Sequence, residues 1–183
     1  MSIISAGNTT TTAIVVTGDT TGNLVFQTQA GANTITVPNQ TGTIVVGGPT
    51  FSAYPLTQQN VTSSTWTKVR LNGELFDTNN NFDTATNYRF TPTVSGYYQI
   101  NGSLNTAVSG AATRTICAIY KNGTEYLRGA DVTGVGSTVS AVINFNGSTD
   151  YVELYGWVAS ATSPAFTDGA IYTNFSGALV RGA

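Results

Sequence analysis

The sequence predicts an all-β protein, and three observations carry that prediction. No stretch sustains the 3.6-residue apolar period of an amphipathic helix. Thr, Val, Tyr and Gly dominate, residue types that suit either a pleated, half-buried surface or the turns between strands. Short alternating runs recur between clusters of Asn, Asp, Gly and Pro. The 183 residues can hold one good-sized domain plus an appendage. Only 9% of them are charged, against about 25% in ordinary globular proteins. Disorder does not explain this, because 40% are apolar. Such a surface is expected to be covered in part by neighbouring copies or a larger assembly.

Residues 1–48 form an N-terminal zone of their own, in which Asp19 is the only charged side chain before Lys68. Short β-type runs recur at Ala13–Val16, Asn23–Thr28, Thr34–Val37 and Thr43–Val46, separated by turn signals such as Thr17-Gly18-Asp19 and Gly31-Ala32-Asn33. Each run offers only two or three apolar side chains, among them Ile14, Val16, Leu24, Phe26, Ile35 and Val37. That is too little for a self-sufficient core, so these six residues are the candidates for attachment to a partner. Thr-rich, Gly-punctuated arms of this type resemble the attachment and shaft segments of bacteriophage virion proteins. Gly47-Gly48-Pro49 is the expected hinge to a head domain, residues 49–183.

The head carries its motifs in order. Phe51-Ser52-Ala53-Tyr54 opens it, and an Asp- and Asn-rich loop follows from Phe76 to Phe82, between alternating runs at Thr67–Leu71 and Asn87–Thr91. Pro92 to Tyr98 reads P-x-x-x-G-Y-Y, Lys121-Asn122-Gly123 marks a tight turn, and Phe175 to Leu179 closes as F-S-G-x-L. This layout resembles the globular head of the C1q and tumour-necrosis-factor superfamily. The resemblance implies a jelly-roll sandwich that assembles as a homotrimer; it implies no single function, because that head serves many unrelated partners.

Alternation also points to association. Val152, Leu154 and Val158 fall on one side of their strand, while Tyr155 and Trp157 fall on the other, where a lone sandwich exposes them to water. Tyr97 points away from Tyr98, and Phe175 and Leu179 oppose Tyr172, Ala178 and Val180. With no helices to supply a third layer, strands apolar on both sides imply a subunit interface. Tyr98, Tyr155, Trp157 and Phe175 are the residues expected near a threefold axis.

Catalysis is not expected. The chain has no histidine, which removes the commonest general base and the commonest zinc ligand. The acidic residues mostly flank turns, where they bend and cap backbone. Cys117, the sole cysteine, is expected as a small buried hydrophobe without a disulfide partner. Asp77, Asn79, Asn81 and Asp83 place oxygen ligands at alternating positions, as a calcium loop does. Phe82 and Tyr88 stand where such a loop needs Gly and Glu, so an Asx-rich turn is the preferred reading and no cofactor is expected. Tyr126 and Trp66 are candidate sugar-stacking rings, with packing as the plainer role. A net charge of −2 without basic clusters argues against nucleic acid, and no apolar run approaches the roughly 20 residues that span a bilayer.

The residues from Met1 to Asn8 lack the basic and apolar regions of a secretory signal, so synthesis in a host cytoplasm and residence on a virion surface are expected. The favoured reading is a non-enzymatic phage virion protein, a trimeric capsid decoration or cement knob. Its arm would dock on a major capsid protein or another virion protein. The first alternative is a receptor-binding fibre tip that holds a host surface glycan or protein. A secreted C1q-like ligand or lectin is the second.

Overall fold

Residues that alternate between apolar and small polar types bury one side and wet the other only in an extended chain, and strands result. The computed structural model describes residues 24–27, 34–37, 47–107 and 114–182, with the chain divided into two units, Met1–Ile44 and Val45–Ala183. In the first unit, β1 (Leu24–Gln27) pairs antiparallel with β2 (Thr34–Val37). The register sets Leu24 opposite Val37 and Phe26 opposite Ile35, so four of the attachment candidates are paired across the two strands. Ile14, Val16 and the runs around Val16 and Val46 lie outside the described residues.

The second unit contains β3 (Thr50–Tyr54), β4 (Gln59–Asn60), β5 (Thr67–Lys68), β6 (Gly73–Asp77), β7 (Phe82–Asp83), β8 (Arg89–Phe90) and β9 (Gly96–Ala107). It continues with β10 (Arg114–Lys121), β11 (Thr124–Arg128), β12 (Gly136–Phe145), β13 (Val152–Ala159), β14 (Ala165–Phe166) and β15 (Asn174–Gly182). No helix occurs among the described residues. Two antiparallel sheets result. Sheet I runs β4-β14-β9-β15-β3-β6 with β12 on β9, and sheet II runs β11-β10-β13-β8-β7 with β5 on β13. They face one another as a jelly-roll sandwich.

The inward positions of both sheets build one core. Tyr98, Ile100 and Leu104 of β9, Ile143 and Phe145 of β12 and Phe175 of β15 meet Ile119 of β10 and Val152, Leu154 and Val158 of β13. Aromatic rings dominate its β3 end: Phe51 stacks on Phe90 at 4.2 Å and on Phe82 at 5.1 Å, and Tyr98 meets Phe145 edge-on at 5.1 Å. Gly177 is small for a reason. A Cβ there would lie 2.5 Å from Ile100 Cδ1 and 2.8 Å from Phe51 Cε1.

The Lys121–Gly123 motif forms the β10–β11 hairpin turn, with Asn122 and Gly123 both at positive φ (53° and 79°), as a type I′ turn requires. Two expected strands are shorter than their alternation suggested. Thr67–Leu71 reduces to β5, since the Arg70 amide donates to Gln59 Oε1 and the Leu71 amide turns back to the Val69 carbonyl. Asn87–Thr91 reduces to β8, since Tyr88 takes a left-handed φ of 50°. Cys117 is fully buried, donates weakly to the Gly102 carbonyl at 3.8 Å, and burial pushes its thiol up to about 12.

Candidate interaction faces

The sandwich presents two outer faces, and strand parity decides what each displays. On sheet I the outward positions of β9 are Tyr97, Gln99, Asn101, Ser103 and Asn105. In register beside them stand Asn144, Val142, Ser140 and Thr138 of β12, and Ser176 and Ala178 of β15. No outward position of β3, β9 or β12, nor of β15 as far as Val180, carries a charge. Large apolar groups nevertheless stand open here: Phe76 is 48% exposed, Tyr97 43%, Val142 53% and Val180 52%. At the centre Gln99 Nε2 donates to Ser140 Oγ at 2.8 Å, and Ser140 Oγ donates to Asn101 Oδ1 at 2.8 Å. A shallow depression of about 200 Å³ lies alongside, lined by Thr50, Phe76, Asn101, Ser176 and Ala178.

Sheet II is built differently. Tyr155 and Trp157 do point outward, as the alternation of β13 predicts, but both are half-buried. Tyr155 stacks on Tyr120 of β10 at 3.9 Å, and Trp66 leans on Tyr120 at 6.2 Å. The Arg128 guanidinium sits 5.1 Å from the Trp66 ring centre, and that of Arg114 sits 5.2 Å from Trp157. Both guanidinia are held in turn, Arg128 by Glu125 at 2.9 Å and Arg114 by Asp131. Lys68 Nζ reaches Glu153 Oε1 at 2.7 Å on the same side. These rings are covered from within the chain.

Tyr98 and Phe175 require a correction. Both are fully buried inside the protomer, Tyr98 donating to the Val94 carbonyl at 2.7 Å and Phe175 packing edge-on against Phe51 at 5.4 Å. Neither reaches an outer face. The parity of β9 and β15 sends Tyr97 and Val180 outward instead, and these are the exposed apolar residues. Burial also pushes the Tyr98 phenol up to about 12.

The loop between β6 and β8 uses its oxygens internally. Asp83 Oδ1 accepts from the Ala85 and Thr86 amides, and Oδ2 accepts from the Asn87 amide and Asn87 Nδ2, all within 3.1 Å. Donation by the Thr86 amide leads the contributions that hold this carboxyl down to about 2, against an opposing effect of burial. Asp77 Oδ1 and Oδ2 accept from the Asn79 and Phe82 amides, while Asn81 Oδ1 accepts from the Thr93 amide. Asn79 Oδ1 accepts from the Thr78 hydroxyl. The four calcium candidates thus accept hydrogen bonds from backbone amides and side chains of their own loop and of Thr93.

Neither a family model nor a curated protein matches the sequence. Solved structures do match the fold. Murine APRIL superposes with a TM-score of 0.53 at 11% identity, over 73% of this chain and 100% of its own. Eiger TNF from S. frugiperda gives 0.54 at 5% identity, over 75% and 96% respectively. PRD1 vertex protein P5 gives 0.50 at 13% identity, over 73% and 99%. At these identities the shared property is the architecture: the second unit has the all-β jelly roll of tumour-necrosis-factor proteins, a fold also found in a virion vertex protein.

Proposed function

We propose that the chain is a non-enzymatic structural protein of a bacteriophage particle, whose head is a trimeric knob on the virion surface and whose N-terminal arm docks on a capsid or other virion protein. The observation that carries this reading is the outer face of sheet I. A sheet surface poor in charge, with Arg181 opposite Tyr97 at the end of β15 and with Phe76, Tyr97, Val142 and Val180 standing open, is suited to burial between copies of the same chain. This moves the association surface from the β13 rings to the opposite sheet. The likeness to PRD1 vertex protein P5 supports a virion role. The likenesses to APRIL and Eiger are as close, so the fold alone does not choose, and the Thr-rich arm decides the preference.

The mechanism is mechanical. Three tethered arms multiply a weak docking contact through effective concentration. A neutral ribbon edge can add to a partner's sheet without desolvating charge. Sedimentation of the recombinant chain tests the assembly, with a particle of three times the 19.1 kDa chain mass expected at micromolar concentration. An image of the intact virion tests the location. Many copies over the shell support a decoration or cement role, and a few copies at a fibre tip support the receptor-binding alternative.

A further inference from the structure

At the free edge of sheet II, β7 and β8 border a depression of about 420 Å³, lined by Asn80, Asn81, Asp83, Asn87, Arg89 and Thr91 with the edge of Phe82. We propose that this depression is a binding site for a neutral saccharide, with Arg89 as its principal donor. The inference goes beyond the structural reading above and does not depend on the trimer, because the site lies on sheet II and the assembly face on sheet I.

The size is right for one or two sugar rings, since ligand pockets run from about 300 to 1,000 Å³. The chemistry is more telling. Among the described residues, the other sheet II cations Lys68, Arg114, Lys121 and Arg128 each hold a carboxylate, yet Arg89 has none within ion-pair distance. Its guanidinium is instead laid over the Tyr151 ring at 4.2 Å, which fixes its plane and leaves its N–H groups available. In the same wall the Asn80 carboxamide, the Thr91 hydroxyl and Asn87 Oδ1 have no hydrogen-bond partner among the described residues.

Donors and acceptors therefore alternate around one depression, as the hydroxyls of a pyranose require, since each both donates and accepts. Phe82 adds an apolar wall for the C–H side of a ring. The charge balance selects the class. Asp83 and Arg89 cancel within the lining, and on the adjoining strand Glu153 is matched by Lys68. Asp83 is saturated by its four internal donors, so it contributes field without offering a chelating oxygen. A charged ligand gains no net attraction here, and a polyhydroxylated neutral one loses nothing.

The test uses the full chain, isotope-labelled for amide NMR, titrated with methyl galactoside, methyl glucoside and N-acetylglucosamine. We expect saturable shifts, in the millimolar range that corresponds to about −4 kcal/mol, at the amides of Asn80, Asn87 and Thr91 with at least one of the three. Arg89→Met keeps the stem over Tyr151 but removes the donors, and a loss of about tenfold or more in affinity is expected. Asn80→Gly is the safeguard against misfolding, because Asn80 already has a φ of 55° that glycine accepts freely. It removes only the carboxamide, for an expected loss of about threefold or more. No shift with any of the three sugars overturns the proposal, as do shifts undiminished in Arg89→Met. Shifts confined to an acidic sugar such as glucuronate overturn the neutral class. The sedimentation mass is unaffected by any of these results, so the site and the assembly fail separately.

Discussion

The two faces of the sandwich use the same strand geometry and solve opposite problems. Sheet II covers the outward rings beside β10 and β13 itself, leaving Tyr126 of its edge strand β11 open: Tyr155 lies on Tyr120, and Arg114 and Arg128 lie over Trp157 and Trp66 and are fastened by Asp131 and Glu125. Sheet I carries no such fastening. Its outward rows on β3, β9, β12 and β15 are short, uncharged except for Arg181 at the end of β15, and studded with apolar groups that the chain leaves open. Ring count alone does not mark an interface. An aromatic residue with an internal lid is a finished surface, and an apolar residue among neutral neighbours is an unfinished one.

The largest effect tests that contrast directly. Val142→Glu places a carboxylate in the uncharged field of sheet I, beside Gln99. We expect the sedimenting particle to fall from three chain masses to one, with little change in the thermal midpoint of the monomer, because Val142 is largely in water. Tyr126→Glu, an equally exposed site on sheet II, should leave the trimer intact. Should both variants behave alike, the distinction between the faces collapses.

The next effect concerns the residues that the structure withdraws from the surface. Phe175→Ala removes a fully buried ring and should cost about 3–5 kcal/mol in chemical denaturation, as a core truncation does. Tyr155→Leu on sheet II keeps apolar bulk and loses the stack on Tyr120, for an expected cost of about 0.5–1.5 kcal/mol with an unchanged particle mass. A change of mass in Tyr155→Leu would return the association surface to β13.

The smallest effect is one of pH. Asp83 has an ordinary carboxyl value of 3.8 that its amide donors lower to about 2 in the fold. Its contribution to stability is therefore complete above about pH 4 and is lost as pH falls towards 2. Asp83→Asn should flatten the stability curve in that window and leave it parallel to the parent curve above it.

Much of the sandwich is legible in the chain because β parity is local. The split between Val152, Leu154 and Val158 on one side and Tyr155 and Trp157 on the other holds in β13. So does the turn at Asn122-Gly123, whose residue types accept positive φ. Parity also places Tyr98 with Ile100 and Leu104, and therefore inside; its assignment to an axis followed residue type where alternation was the stronger signal. What joins distant segments is not legible. Lys68 meets Glu153 across 85 positions, and Arg114 closes on Asp131 only because β10 is bridged to the segment at Val132. The covered state of the sheet II rings rests on such pairings. The saccharide site is similarly hidden, since an Asx-rich loop looks the same whether or not a free guanidinium stands beside it.

The enclosure of Cys117 has a practical use. A chain with one sulfhydryl, walled in and hard to ionise, is silent towards maleimides under conditions in which a surface thiol reacts within minutes. A cysteine introduced at Tyr126, on the sheet away from the proposed assembly face, becomes the sole handle for a dye, without first deleting the native one. Donor-labelled and acceptor-labelled preparations of that variant, once mixed, would then report subunit exchange with no dye on the assembly face.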